Sequence, residues 1–368
     1  MNLPTSAPRV ARSGRGAQSG FSLIELMVSL VLGLLVISAA GSLFLANRQV
    51  FASTETVNRI QENGRAAFEI MSRDVREAGS SPCFSLAAKS PINTLEGREG
   101  AWWTAFANGI SGAVGSSNTS DSITLYMANR DNVRVTKHDN PSAVLDVTAM
   151  DQDLIDDIND NAPTMMVCNA DVAVIFQATG TTGNGLGVLH NTGDQNCGQF
   201  FPGPKDANVS DYPCFMGAGG NPPAHGYCFT VPDGASSSEC KDQGLSVANV
   251  TRIHAISWHV DKTSKQLIRS ELIPNAAGTS AVARSGGTVA VAEGASEMSV
   301  TYKAADSNAF VSANQVADWR RVTAVRVELV LEAADGSMSD RDRRGVDGEM
   351  LERTLVNVIT IRNREGVL

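Results

Sequence analysis

One carboxylate, Glu25, stands in an otherwise uncharged apolar run, SGFSLIELMVSLVLGLLVISAAG, from Ser19 to Gly41. A charge inside a bilayer costs a few kcal/mol or more, so it persists where a partner meets it. Glu25 lies one turn into the run, and a helix N-terminus favours negative charge, so it can first neutralise its own helix start. A glutamate snorkelling to the interface is the plainer account. The other reactive set is six cysteines, Cys83, Cys168, Cys197, Cys214, Cys228 and Cys240. None forms a C-x-x-C pair, which disfavours zinc ribbons and thioredoxin-like redox sites. In an exported body they read as disulfides, and buried reduced thiols are the alternative. Six cysteines allow 15 connectivities, among which residue positions do not choose.

Enzymatic signatures are missing. The chain has no G-x-S-x-G, no H-E-x-x-H, no P-loop and no dinucleotide-binding glycine motif between a strand and a helix. His254 and His259 are five apart in an expected strand and so face opposite sides, a poor metal geometry. DQDLIDDINDN holds Asp151, Asp153, Asp156, Asp157 and Asp160. Hard oxygens in a tight loop can bind calcium, but the spacing is not that of an EF-hand, so a solvated acidic turn is expected. Trp102, Trp103 and Phe106 in AWWTAF could grip a sugar or a subunit, with core packing the stronger expectation. No cofactor, metal or catalytic residue is expected.

These residues must be positioned by a chain of 368 residues, 42% hydrophobic, with 33 glycines and 5% aromatics, a balance that suits strands and turns. The net charge of -9 disfavours a general nucleic-acid role, though a local basic patch is compatible with it. Residues 1–20 carry Arg9, Arg12 and Arg15 and no acid, which by the positive-inside rule keeps this end cytoplasmic. The apolar run from Phe21 to about Ala46 is long enough for a hydrocarbon core of ~30 Å. It is too long for a secretory signal and has no clean small-residue cleavage site. A plain single-pass anchor would explain all but Glu25 and the sharp border between Gly20 and Phe21.

The helix is expected to continue past the anchor. Val57, Ile60, Gly64, Ala67, Phe68, Met71, Val75 and Ala78 recur at steps of three and four, with Arg65, Glu69, Arg73 and Glu77 on the opposite face. Gly79 and Pro82 then mark a stop. A helix from Phe21 to Ala78 would run roughly 85 to 90 Å. From Cys83 the period becomes two. DSITLYMA, DVAVIFQA, the hairpin NVTRIHAISWHV/KQLIRSEL turning at Asp261 to Ser264, RVTAVRVELVLEA and LERTLVNVITIRN all read as strands of a largely antiparallel sheet. ADGSMSDRDRRGVDGE reads as an exposed loop between the last two. The Gly-, Pro- and Asn-rich stretch from about Gly180 to Gly244 holds four cysteines and reads as a long loop braced by disulfides.

GFSLIELMV resembles the class III signal of type IV prepilins and type II secretion pseudopilins. The resemblance implies that a prepilin peptidase cuts after Gly20 and methylates Phe21, the new N-terminus. It also implies that Glu25 meets the N-terminal amine of a neighbouring subunit. More weakly, RDVREAGSSPCF, CNADVAVIFQATG and the closing VRVELVL and LVNVITIRNR resemble PilW-like minor pilins. By that similarity Cys83 and Cys168 would pair, while the Cys197 to Cys240 group has no counterpart.

The expectation is therefore an α+β, pilin-like chain, with residues 1–20 a leader, 21–78 a helix (21–46 transmembrane) and 79–368 a β-rich periplasmic or extracellular body. As a PilW-like minor pilin it would help prime a type IV pilus from a tip position, with other minor pilins, the major pilin, the inner-membrane assembly platform and the membrane as partners and no nucleic acid. A J-type minor pseudopilin of type II secretion is the nearest alternative. A membrane-anchored periplasmic enzyme or binding module is the alternative from another class.

Overall fold

The computed structural model describes residues 20, 22–84, 86, 89–95, 102–131, 133–138, 143–191, 196–197, 201, 226–230, 240–243, 247–274, 281–333, 343–345 and 348–364, without the side chains of 240–243, 273–274 and 281–285. The chain divides into two compact units, residues 1–55 and 56–368. Helix α1 (Leu23–Glu77) contributes to both.

From Leu23 to Ala46, Glu25 apart, α1 is apolar on every face. Its most apolar stretch has a mean hydropathy of 2.5, none of it buried in the protein, and it is long enough to cross a membrane. The hydroxyls of Ser29, Ser38 and Ser42 donate to the carbonyls of Leu26, Leu35 and Ala39 at 3.0, 2.9 and 2.9 Å. Each of these three hydroxyls is thereby satisfied within the helix, as a hydrocarbon environment requires.

The second unit is built on strands. They are β1 (Ile92–Asn93), β2 (Ile110–Ala113), β3 (Ser122–Ala128), β4 (Val133–Lys137), β5 (Val144–Val147), β6 (Thr164–Cys168), β7 (Ala173–Gln177), β8 (Gly180–Thr182) and β9 (Gly187–Leu189), with helix α2 (Gln152–Asn161) before β6. After them come β10 (Gly226–Cys228), β11 (Cys240–Gln243), β12 (Asn249–Asp261), β13 (Gln266–Pro274), β14 (Ala281–Glu293), β15 (Ala295–Ala304), β16 (Val311–Ser312), β17 (Val322–Glu332) and β18 (Glu352–Thr360). β12 is the hub of the 12-stranded sheet: its first residues pair with β4 and β6, and the rest with β3 and β13. A four-stranded sheet runs in the order β16-β15-β17-β18. The pairing is largely antiparallel, as the alternating patterns imply. The described exceptions are β1 with β7 and β10 with β11.

The alternation explains the core. Val325, Val327, Leu329 and Leu331 of β17 are buried, while Arg326 on the other face is exposed. They meet the α1 stripe of Ile60, Ala67, Phe68, Met71 and Val75, together with Ile123, Leu125, Ile256 and Trp258. A second cluster lies under α2 and a third around Trp102, Trp103 and Phe106. Those three aromatics form a buried 3₁₀ turn at Trp102–Asn108, so they are core and present no aromatic face to a sugar.

Two expectations fail in detail. DQDLIDDINDN is a helix rather than a turn. Asp151 caps it by accepting from the Leu154 N–H at 2.8 Å, and Leu154 and Ile158, four apart, bury one face. Its Asp157 is buried and pairs with Arg252 at 2.8 Å. The long Gly180–Gly244 loop also contains structure, the β8–β9 hairpin and the β10–β11 pair, although much of it lies outside the described residues.

Candidate functional site

The start of α1 holds the first candidate group. Gly20 and Ser22 are exposed just before it, and Phe21 lies outside the described residues. The Glu25 Oε2 accepts the Ser22 N–H at 3.1 Å. A first-turn carboxylate thus satisfies one of the unpaired N–H groups of the helix start and opposes the positive end of the dipole. The other carboxylate oxygen has no partner among the described residues. Leu23, Ile24, Leu26 and Met27 around it are all more than half exposed. In chemical terms this is a hydrogen-bond acceptor with one open oxygen, set in an apolar surface, suited to receive a cation from outside.

The second unit carries the cysteines. Cys83 and Cys168 form a disulfide across 85 residues, joining the segment after α1 to the end of β6. Cys197 and Cys228 are each disulfide-bonded as well, to partners outside the described side chains. Cys214 and the Cys240 side chain lie outside the described residues. Among the described residues no group of three or more His, Cys, Asp or Glu side chains is placed to hold a metal ion.

The seam between α1 and the sheets depends on residues that periodicity does not single out. Asp74 is buried on the apolar face of the helix. Its Oδ2 accepts from Trp258 Nε1 at 3.0 Å and Arg269 Nε at 2.7 Å, and its Oδ1 from Arg269 Nη2 at 3.2 Å. The carboxylate therefore ties α1 to both strands of the β12–β13 hairpin. A charge falling on an otherwise apolar stripe, one step before Val75, was the available signal in the sequence.

A second tie closes the helix. Gly79, at φ 72°, ends α1 in the left-handed region and donates its N–H to the Tyr126 carbonyl at 2.8 Å. Asn363 Nδ2 donates to the Glu77 and Ala78 carbonyls at 3.3 and 3.1 Å, so the C-terminal segment caps the helix. Beside it the buried Arg364 guanidinium donates to the carbonyls of Asn108, Trp319 and Val322. Burial pushes this guanidinium down to about 10, with Asp318 opposing the shift. Gly109, at φ 65°, lies against Gly79, and a Cβ there would stand 2.9 Å from the Gly79 Cα. At Gly64 a Cβ would stand 2.1 Å from Leu355 Cδ1, so the helix sits directly on β18 there.

Two family models match. The prokaryotic N-terminal methylation motif covers residues 15–41, which include Gly20, Phe21, Glu25 and the start of α1. The type IV pilus-assembly protein W model covers residues 257–357, from the middle of β12 into β18. No curated protein and no solved structure matches the chain. Pilin families are structural, non-enzymatic proteins that assemble with other pilins and a pilus machinery, and the apolar start of α1 fits a pilin membrane anchor. The secretion pseudopilin and the anchored enzyme are not favoured by these matches. A methylation motif at one end and an assembly-protein W region over the sheets that hold α1 support a PilW-like minor pilin of the type IV pilus.

Proposed function

We propose that this chain is a low-abundance subunit that primes pilus assembly, at or near the tip, together with other minor pilins and the major pilin. It enters the inner membrane with residues 1–20 in the cytoplasm and the body in the periplasm. Prepilin peptidase removes the leader after Gly20 and methylates Phe21. Glu25 then meets the N-terminal amine of a neighbour while the assembly platform extracts the helix. Twitching motility depends on the pili so formed.

The observation that carries this reading is the Glu25 carboxylate, one oxygen held by the Ser22 N–H and the other open, in an exposed apolar helix surface. A charge held inside a bilayer is stabilised by a partner, and a positive amine presented by an identical type of helix start supplies one. Mass spectrometry of the protein from membranes should find a chain beginning at methylated Phe21. In a deletion strain, Glu25→Ala should be present in the membrane at normal levels yet restore neither pilus number nor twitching. An uncut chain, or full piliation by Glu25→Ala, would refute the proposal.

A further inference from the structure

The edges of the two larger sheets are managed unequally. Among the described residues, edge strands β1 and β16 have two residues, β8 three and β2 four. The long edge strand β14 shifts register twice against β13. Short or broken edges of this kind resist pairing with other chains. β18 is the exception. It has nine residues, pairs with β17 in unbroken register over all of them, contains no proline or bulge, and among the described residues pairs with no strand on its other side. Val356 and Val358 on it are 51% and 52% exposed.

Along this strand runs a groove of about 820 Å³, walled by α1 from Gln61 to Glu77 and by Leu355 to Asn357. Phe68 and Leu355 supply apolar surface. Arg65, Arg73, Arg76, Arg130 and Arg362 also line it, against two acids, Glu69 and Glu77. Glu77 is already engaged, by Arg130 at 2.6 Å and Arg73 at 3.7 Å. Arg65, Arg76 and Arg362 have no acidic partner among the described residues. An excess of three positive charges in one groove, on a chain of net charge -9, is a local reversal of sign.

We infer that the groove is a docking site for an extended acidic segment of a neighbouring pilin, which adds to β18 as a further strand. The free main-chain groups of β18 provide the pairing, and the arginines select acidic side chains, as in strand-addition recognition. A nucleic acid would use the same charges, but it would not use a strand edge, and the aromatic ring here is buried rather than open for base stacking. The inference rests on the minor-pilin reading for its partner, but its test needs no pilus.

The full chain in detergent micelles would be titrated with a labelled peptide of alternating Val and Glu. The controls are the same peptide with Lys for Glu, the acidic peptide N-methylated at alternate residues, and a labelled oligothymidylate. The acidic peptide should bind, the Lys and N-methylated peptides should bind at least tenfold more weakly, and Arg65→Glu/Arg76→Glu/Arg362→Glu should weaken the acidic peptide at least tenfold. These three arginines are exposed, so the variant should keep the wild-type melting temperature. Equal binding of the N-methylated peptide, an unaffected triple variant, or tighter binding of oligothymidylate through the same arginines would each overturn the inference. Loss of peptide binding with intact piliation would leave the proposed function standing, and loss of piliation in Glu25→Ala would not bear on the groove.

Discussion

Replacing Asp74 with alanine removes one acceptor from three donors. Trp258 is fully buried, so its indole N–H at 3.0 Å would be orphaned, at a cost of about 1–3 kcal/mol. The Arg269 side chain is 27% exposed. Water can therefore solvate its guanidinium when the carboxylate is gone, and the ion pair contributes nearer to about 1 kcal/mol than to the larger cost of breaking a fully buried pair. Together these give about 3 kcal/mol for Asp74→Ala. For a body of about 310 residues that corresponds to a fall of roughly 5 °C in Tm.

Asp74→Asn keeps an oxygen for Trp258 and loses the charge, so it should cost less than half as much. In an Arg269→Met background the cost of Asp74→Ala should shrink by about 1 kcal/mol, leaving the indole contribution. The assay is urea denaturation of the full chain in detergent, followed by tryptophan fluorescence. If Asp74→Ala shifts the midpoint by less than the equivalent of about 0.5 kcal/mol, or if the Arg269→Met background leaves its cost unchanged, the carboxylate is not the tie described.

Two further predictions concern the body. Opening the Cys83–Cys168 disulfide releases an 85-residue loop, which loop entropy values at about 4.5 kcal/mol, so Cys83→Ser/Cys168→Ser should lower Tm by several degrees; no change in Tm would contradict a bracing role. The His190 imidazole is held well below the usual histidine range by burial, and the neighbouring His138 lowers it further. The folded state therefore binds fewer protons than the unfolded one, and stability should fall as the pH drops below about 6.5, by up to about 1.4 kcal/mol per pH unit. Urea midpoints between pH 7.5 and 5 should show this fall, and a His190→Phe variant should show less of it; parallel curves would exclude His190 as the cause.

The elements were legible where burial has a period. The α1 stripe, the alternation of β17 and the β12–β13 hairpin each follow from repeated apolar positions, and the motif at Gly20 to Glu25 is contiguous in the chain. The ties were not legible, because each is a single polar residue whose partner is far away in sequence. Asp74 meets Arg269, and Asn363 meets the end of α1, without any pattern linking them. The acidic run at 151–161 misled for a related reason. Its five aspartates suggested solvent, while the two apolar residues that fix the helix, Leu154 and Ile158, and the cap at Asp151 carried the structural information.

The single-residue ties also answer a question that the apolar stripe leaves open. A helix lying on a sheet through small and branched side chains can slide by one turn, about 5.4 Å, and still bury a similar stripe, because the pattern nearly repeats. Hydrophobic burial is non-directional and discriminates weakly between such registers. A carboxylate on two strands at once, an asparagine on the last carbonyls and a glycine against Leu355 do discriminate, since each is lost entirely on a one-turn slip. The same register sets the wall of α1 against β18, and with it the spacing of Arg65, Arg76 and Arg362 along the groove. The buried Asp74 pair thus has its main consequence in fixing one register of the helix on the body, and only secondarily in the few kcal/mol by which it stabilises the fold.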